Sequence, residues 1–181
     1  MNTEKLQELV QLRRAIRIRP KFATDQAIHG FPLTVTDQFV LIQEINDFHL
    51  DGYTIIPLRN LYAVRSGKAE RMIERVFTGE GTIDKIKTPD DLRLDSFRDL
   101  FRSIQKLGKL VIVDSVEVDG DMMEEDSFIG RIVGMSPRSV AILNFTGAGV
   151  WDTEPTVVAY KQIKWITFDN EYVNTFAKYL P

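Results

Sequence analysis

The chain is expected to be mainly β with short helices, arranged as two tandem copies of one helix-plus-five-strand unit. Three observations predict this: an internal repeat, a succession of short apolar runs separated by turn residues, and helical apolar spacing at the ends of each copy. Gly30 falls on Gly130, Leu33 on Val133, Val35 on Met135, Val40 on Val140 and Ile42 on Ile142. After a loop of different length, Thr54 falls on Thr156, Ile55 on Val157, Arg59 on Lys161, Leu61 on Ile163 and Val64 on Ile166. Upstream, Leu6, Leu9, Ile16 and Ile18 match Phe101, Ile104, Val111 and Val113. The repeat therefore divides the chain into a first unit at 1–78, a polar linker with Pro89 at 79–91, and a second unit at 92–181.

In the first copy, Thr3–Arg14 has the spacing of a short helix, with Leu6, Leu9 and Val10 on one face. Ala15–Lys21 alternates, Ile16 and Ile18 against Arg17 and Arg19, as a half-buried strand does. Ile28–Val35 and Phe39–Ile45 are strands joined at Thr36–Asp37–Gln38. Turn residues Asn46–Asp47 and Asp51–Gly52 precede a strand at Tyr53–Leu58, and Leu61–Val64 follows after one tight turn. Ser66 is placed to cap a helix at Lys68–Phe77 with Ala69, Met72, Ile73 and Val76 inward.

The second copy opens with the clearest helix, capped by Asp95 or Ser96, with Phe97, Leu100, Phe101, Ile104 and Leu107 on one face and Gly108 as its stop. Leu110–Val113 is wholly apolar, and an acidic hairpin turns at Asp119–Gly120. Strands at Ile129–Met135, Val140–Phe145, Thr156–Tyr160 and Ile163–Thr167 follow, with Asn170 capping a last helix.

A short helix followed by five strands, with a glycine in the second strand and a tight turn between the fourth and fifth, resembles the Sm-like (LSm) fold, one of the small SH3-like barrels. The resemblance covers about Leu6–Val64 and Leu100–Ile166 and implies two tandem five-stranded Sm-like barrels, each with flanking helices. The family's RNA-binding signature places Asp six residues and Asn ten residues after that glycine. Here those places hold Thr36 and Val40, and Ser136 and Val140. The second signature, an apolar residue before Arg-Gly, is approached only by Leu58–Arg59–Asn60. An aliphatic side chain cannot read a base edge by hydrogen bonding, so the resemblance implies the fold and the family's habit of ring assembly more than uridine recognition.

The formal charge of −3 argues against a general polyanion binder, and the lack of cysteine excludes disulfides and thiolate chemistry. The amphipathic amino terminus lacks a signal-peptide core and no run is long enough to span a bilayer, so a cytoplasmic protein with no membrane partner is expected. No cofactor motif, nucleophile elbow or catalytic triad spacing is present. His29 and His49 are read as surface or loop residues. The basic run Arg13, Arg14, Arg17, Arg19 and Lys21 could contact phosphates, but no aromatic residue interleaves it, and a solvated or ion-pairing face is the plainer reading. The acidic run containing Glu117, Asp119 and Asp121 lacks the twelve-residue calcium-loop spacing, so no metal site is expected. These residues are read instead as a binding edge opposite in charge to Arg17 and Arg19, set to meet them within one chain or between neighbouring chains. These observations favour a non-catalytic binding or assembly module, through protein partners or self-association. RNA binding through the Arg13–Lys21 face is the alternative.

Overall fold

A computed structural model describes residues 3–22, 27–120 and 122–181, without the side chain of Asp119. The described residues form ten antiparallel strands and four short helices, and the chain divides into two compact units, Met1–Asp90 and Asp91–Pro181.

The first unit contains α1 (Thr3–Gln11), β1 (Ile16–Pro20), β2 (Ile28–Val35), β3 (Phe39–Asn46), β4 (His49–Pro57), a 3-10 turn at Leu58–Asn60, β5 (Leu61–Arg65) and α2 (Lys68–Gly79). Its strand order is β5-β1-β2-β3-β4. The second contains α3 (Phe97–Lys106), β6 (Val111–Asp119), β7 (Met122–Met135), β8 (Ser139–Asn144), β9 (Thr156–Ala159), a 3-10 turn at Tyr160–Gln162, β10 (Ile163–Phe168) and α4 (Glu171–Ala177). Its order, β10-β6-β7-β8-β9, is the same arrangement.

The registers agree residue by residue. Ile16 faces Gly30 and Val111 faces Gly130; Val40 faces Ile56 and Val140 faces Val158. Even the irregularities coincide: β2 slips at Pro32–Thr34 and β7 at Ile132–Gly134. Both 36–39 and 136–139 turns are closed by one hydroxyl, Thr36 Oγ1 accepting from Gln38 and Phe39 N–H, and Ser136 Oγ from Arg138 and Ser139 N–H. The repeated glycines answer to sterics. A Cβ at Gly30 would lie 2.2 Å from Gln43 O, and one at Gly130 would lie 1.9 Å from Leu143 O, distances no side chain survives. In neither unit does a ladder among the described residues join the outer strands, so each five-strand order is open.

Packing explains the departures from expectation. β4 begins at His49, because the turn is made by Asp47 and Phe48, both at positive φ (43° and 67°), and Gly52 (φ 72°) lies inside the strand. The acidic hairpin is longer than its turn residues suggest, running as an unbroken ladder from Val111–Gly130 to Asp119–Met122. Part of the 79–91 segment packs on the first unit: Ile86 joins Ala15, Phe31 and Phe77 in its core, and Gln43 Oε1 accepts Lys87 N–H. Ser66 does not cap α2; its hydroxyl donates to Ala15 O, and Gly67 takes the cap position, its N–H bound by Glu70.

The buried face of α2 is also displaced by one residue. Met72 is exposed, and Glu70, Ile73, Glu74 and Phe77 turn inward at i, i+3, i+4, i+7. Glu70 accepts from Arg65 and Gly67, and Glu74 from Arg14 and Ala15 N–H, so two carboxylates with fixed partners overrule the apolar period. In the second unit, Phe97, Leu100, Phe101 and Ile104 are buried, Phe97 stacking on Tyr160 at 4.9 Å. Ser96 Oγ caps this helix through Asp99 N–H.

Candidate functional site

The basic run is dispersed by its own secondary structure. Arg13 lies in the turn after α1 at positive φ and is exposed. Arg14 is held by Glu74 at 2.8 Å. Arg19 is exposed opposite Ala63, and Lys21 donates its backbone N–H to Asn60 O. Arg59 is exposed on the 3-10 turn before β5.

Arg17 is placed differently. It lies directly opposite Arg65 of β5 on one side and His29 of β2 on the other, so three nitrogen-bearing side chains leave one face of three adjacent strands in a row. Glu70 is almost fully buried beneath this row and takes Arg65 Nη2 at 2.9 Å and Gly67 N–H at 2.6 Å. Burial alone would raise the Glu70 carboxyl; Arg65 and the backbone N–H groups of Gly67 and Glu70 bring it below its ordinary value. Burial first, then Arg17 and Arg65, hold the His29 imidazole below its ordinary value, with Glu70 opposing. Arg17 has no carboxylate partner among the described residues. His29, Arg65 and Glu70 were not anticipated as a group. The signal was present, because pairing Ile16 with Gly30 sets Arg17 against His29.

A second feature lies at the outer strands. β5 ends the order of the first unit and β9 that of the second, each without a further strand among the described residues. Both carry an outward apolar side chain, Tyr62 at 68% exposure and Val157 at 65%. Beside β5 runs a groove of about 500 Å³ whose apolar lining comes from Leu6 and Leu9 of α1, Leu58, Leu61 and Val64, with Lys5 and Lys21 also lining it. At β9, Tyr160 N–H donates across to Arg138 O while Ala159 N–H turns to Gln162 Oε1. Because N–H groups alternate sides along a strand, Val157 N–H faces the free edge.

The acidic hairpin places Glu117 opposite Glu124, both exposed. Asp121 lies outside the described residues, as does the side chain of Asp119. Among the described residues no three His, Asp or Glu side chains are placed to hold a metal ion, and no helix is long and apolar enough to cross a membrane. At the base of the hairpin, buried Lys164 pairs with Glu125 at 2.9 Å, and Ser127 Oγ donates to Asp114. Burial pushes the Asp114 carboxyl up, against the Ser127 hydroxyl and Lys164.

No protein-family model matches the chain, and neither the curated proteins nor the solved structures contain a match.

Proposed function

We propose that the protein is a non-catalytic assembly module built from two Sm-like units, and that it self-associates by pairing the β5 edge of one copy with the β9 edge of another. The observation that supports this is the pair of outer strands, one in each unit, that no further strand covers among the described residues, each with an outward apolar side chain. Exposed edges of this kind are templates for strand addition, and proteins that do not use them usually block them with proline, charge or a bulge. β9 has none of these within Thr156–Ala159. The groove between α1 and β5, lined by Leu6, Leu9, Leu61 and Val64 together with Thr3, Lys5 and Lys21, lies beside the edge that Val157 of the incoming strand would join.

The test is Val157→Pro. Proline removes an N–H that faces away from β8, so the variant is expected to fold with little change in Tm. Native mass spectrometry of the wild type is expected to show multiples of the 20.8 kDa chain that the variant does not form. A wild type that stays at 20.8 kDa at high protein concentration overturns the reading.

A further inference from the structure

We propose that Arg17, flanked by His29 and Arg65, forms an oxyanion site that takes a phosphate group. Arg17 and Arg65 are cations at directly opposed positions, an arrangement that destabilises a sheet unless something anionic joins them. The fold does not require it: the equivalent row of the second unit, on β10, β6 and β7, is Thr167, Ile112 and Ile129. Glu70 answers Arg65 alone. The two inward carboxylates of α2 go to Arg65 and Arg14, and among the described residues none pairs with Arg17, which lies between them in the chain.

The chemistry of the row suits a tetrahedral dianion. A guanidinium offers donors in a planar fork that matches phosphate oxygens, and a bond from a charged donor is about twice as strong as a neutral one. Glu70 holds Arg65 through Nε and Nη2, which fixes that guanidinium in place and leaves its remaining nitrogen out of these bonds. His29 adds one donor at the other end of the row, and strands spaced ~4.7–4.9 Å apart let the three converge on a single anion. Arg17 and Arg65 are accessible enough for this, Arg17 being half-buried and the Arg65 side chain 57% exposed. Phosphate could come as the free ion or from a polynucleotide backbone.

The experiment compares the full chain with Arg17→Gln and Arg17→Lys, using inorganic phosphate and a labelled single-stranded oligoribonucleotide as probes. Inorganic phosphate is expected to raise the Tm of the wild type and to leave that of Arg17→Gln unmoved, with Arg17→Lys between them. If the phosphates belong to a polynucleotide, Arg17→Gln weakens oligoribonucleotide binding about tenfold or more. If the site takes the free ion alone, both proteins treat the oligoribonucleotide alike while the Tm difference persists. Equal response of wild type and Arg17→Gln to both probes overturns the proposal. The unliganded Tm of Arg17→Gln serves as the folding control, and relief of the Arg17–Arg65 repulsion should leave it no lower than that of the wild type.

Discussion

Two units of the same order and register differ most in what their first strand carries. In β1 the outward positions are Arg17 and Arg19; in β6 the equivalent positions are Ile112 and Asp114. The backbone tolerates both because the inward residues, Ile16 and Ile18 against Val111 and Val113, fix the strand, and the outward face is unconstrained by the core. The lesson extends to two carboxylates, one in each unit. Glu70 is drawn inward by partners that favour its charge, whereas Asp114 is held where burial disfavours it. Shared register carries the fold, and the charge at matched positions is free to diverge.

The strongest way to break the comparison is through the matched helix anchors, Phe101 and Leu6, both buried. Phe101→Ala should cost ~3–5 kcal/mol and Leu6→Ala ~2–5 kcal/mol in chemical denaturation. A Tm unchanged by either would mean that the two helices do not play the same part. Next come Gly30→Ala and Gly130→Ala, each forcing a methyl group into the opposing backbone; a loss of ~1–3 kcal/mol is expected for both. A large loss at one and none at the other would show that the strand bends are not equivalent.

The smaller effects depend on pH and have opposite signs. The lowered Glu70 carboxyl contributes stability above its ordinary value of 4.5, and this is lost as pH falls through the folded value. Glu70→Gln should therefore be less stable than wild type at neutral pH, with the gap closing in acid. Asp114 is raised, so its contribution is favourable below 3.8 and is lost as pH rises through the folded value. Asp114→Asn should gain on the wild type at neutral pH and lose that gain in acid. Tm profiles that run parallel for the two variants would contradict both assignments. Ser96→Ala, which removes the hydroxyl cap of α3, is expected to cost ~1 kcal/mol.

Strand positions were legible because Gly30 and Gly130, the 36–39 and 136–139 turns and the apolar runs each fix register locally. The displaced face of α2 was not, because Met72 and Ala69 satisfy the helical period while the decisive partners, Arg65 and Arg14, come from other elements. The same reason hid the candidate site. A linear reading groups Arg13, Arg14, Arg17 and Arg19 by proximity, but alternation and cross-strand pairing separate Arg17 from them and join it to Arg65 and His29.

The fastening of α2 has a further consequence. Its attachment rests on Phe77, the partly buried Ile73 and two carboxylates, of which Glu70 loses its bonds to Arg65 and Gly67 on protonation. A helix secured in this way is a natural local-opening unit. Its amide hydrogens should exchange with solvent well before those of β3, whose residues Phe39–Gln43 are buried on both faces, and acid should widen the interval.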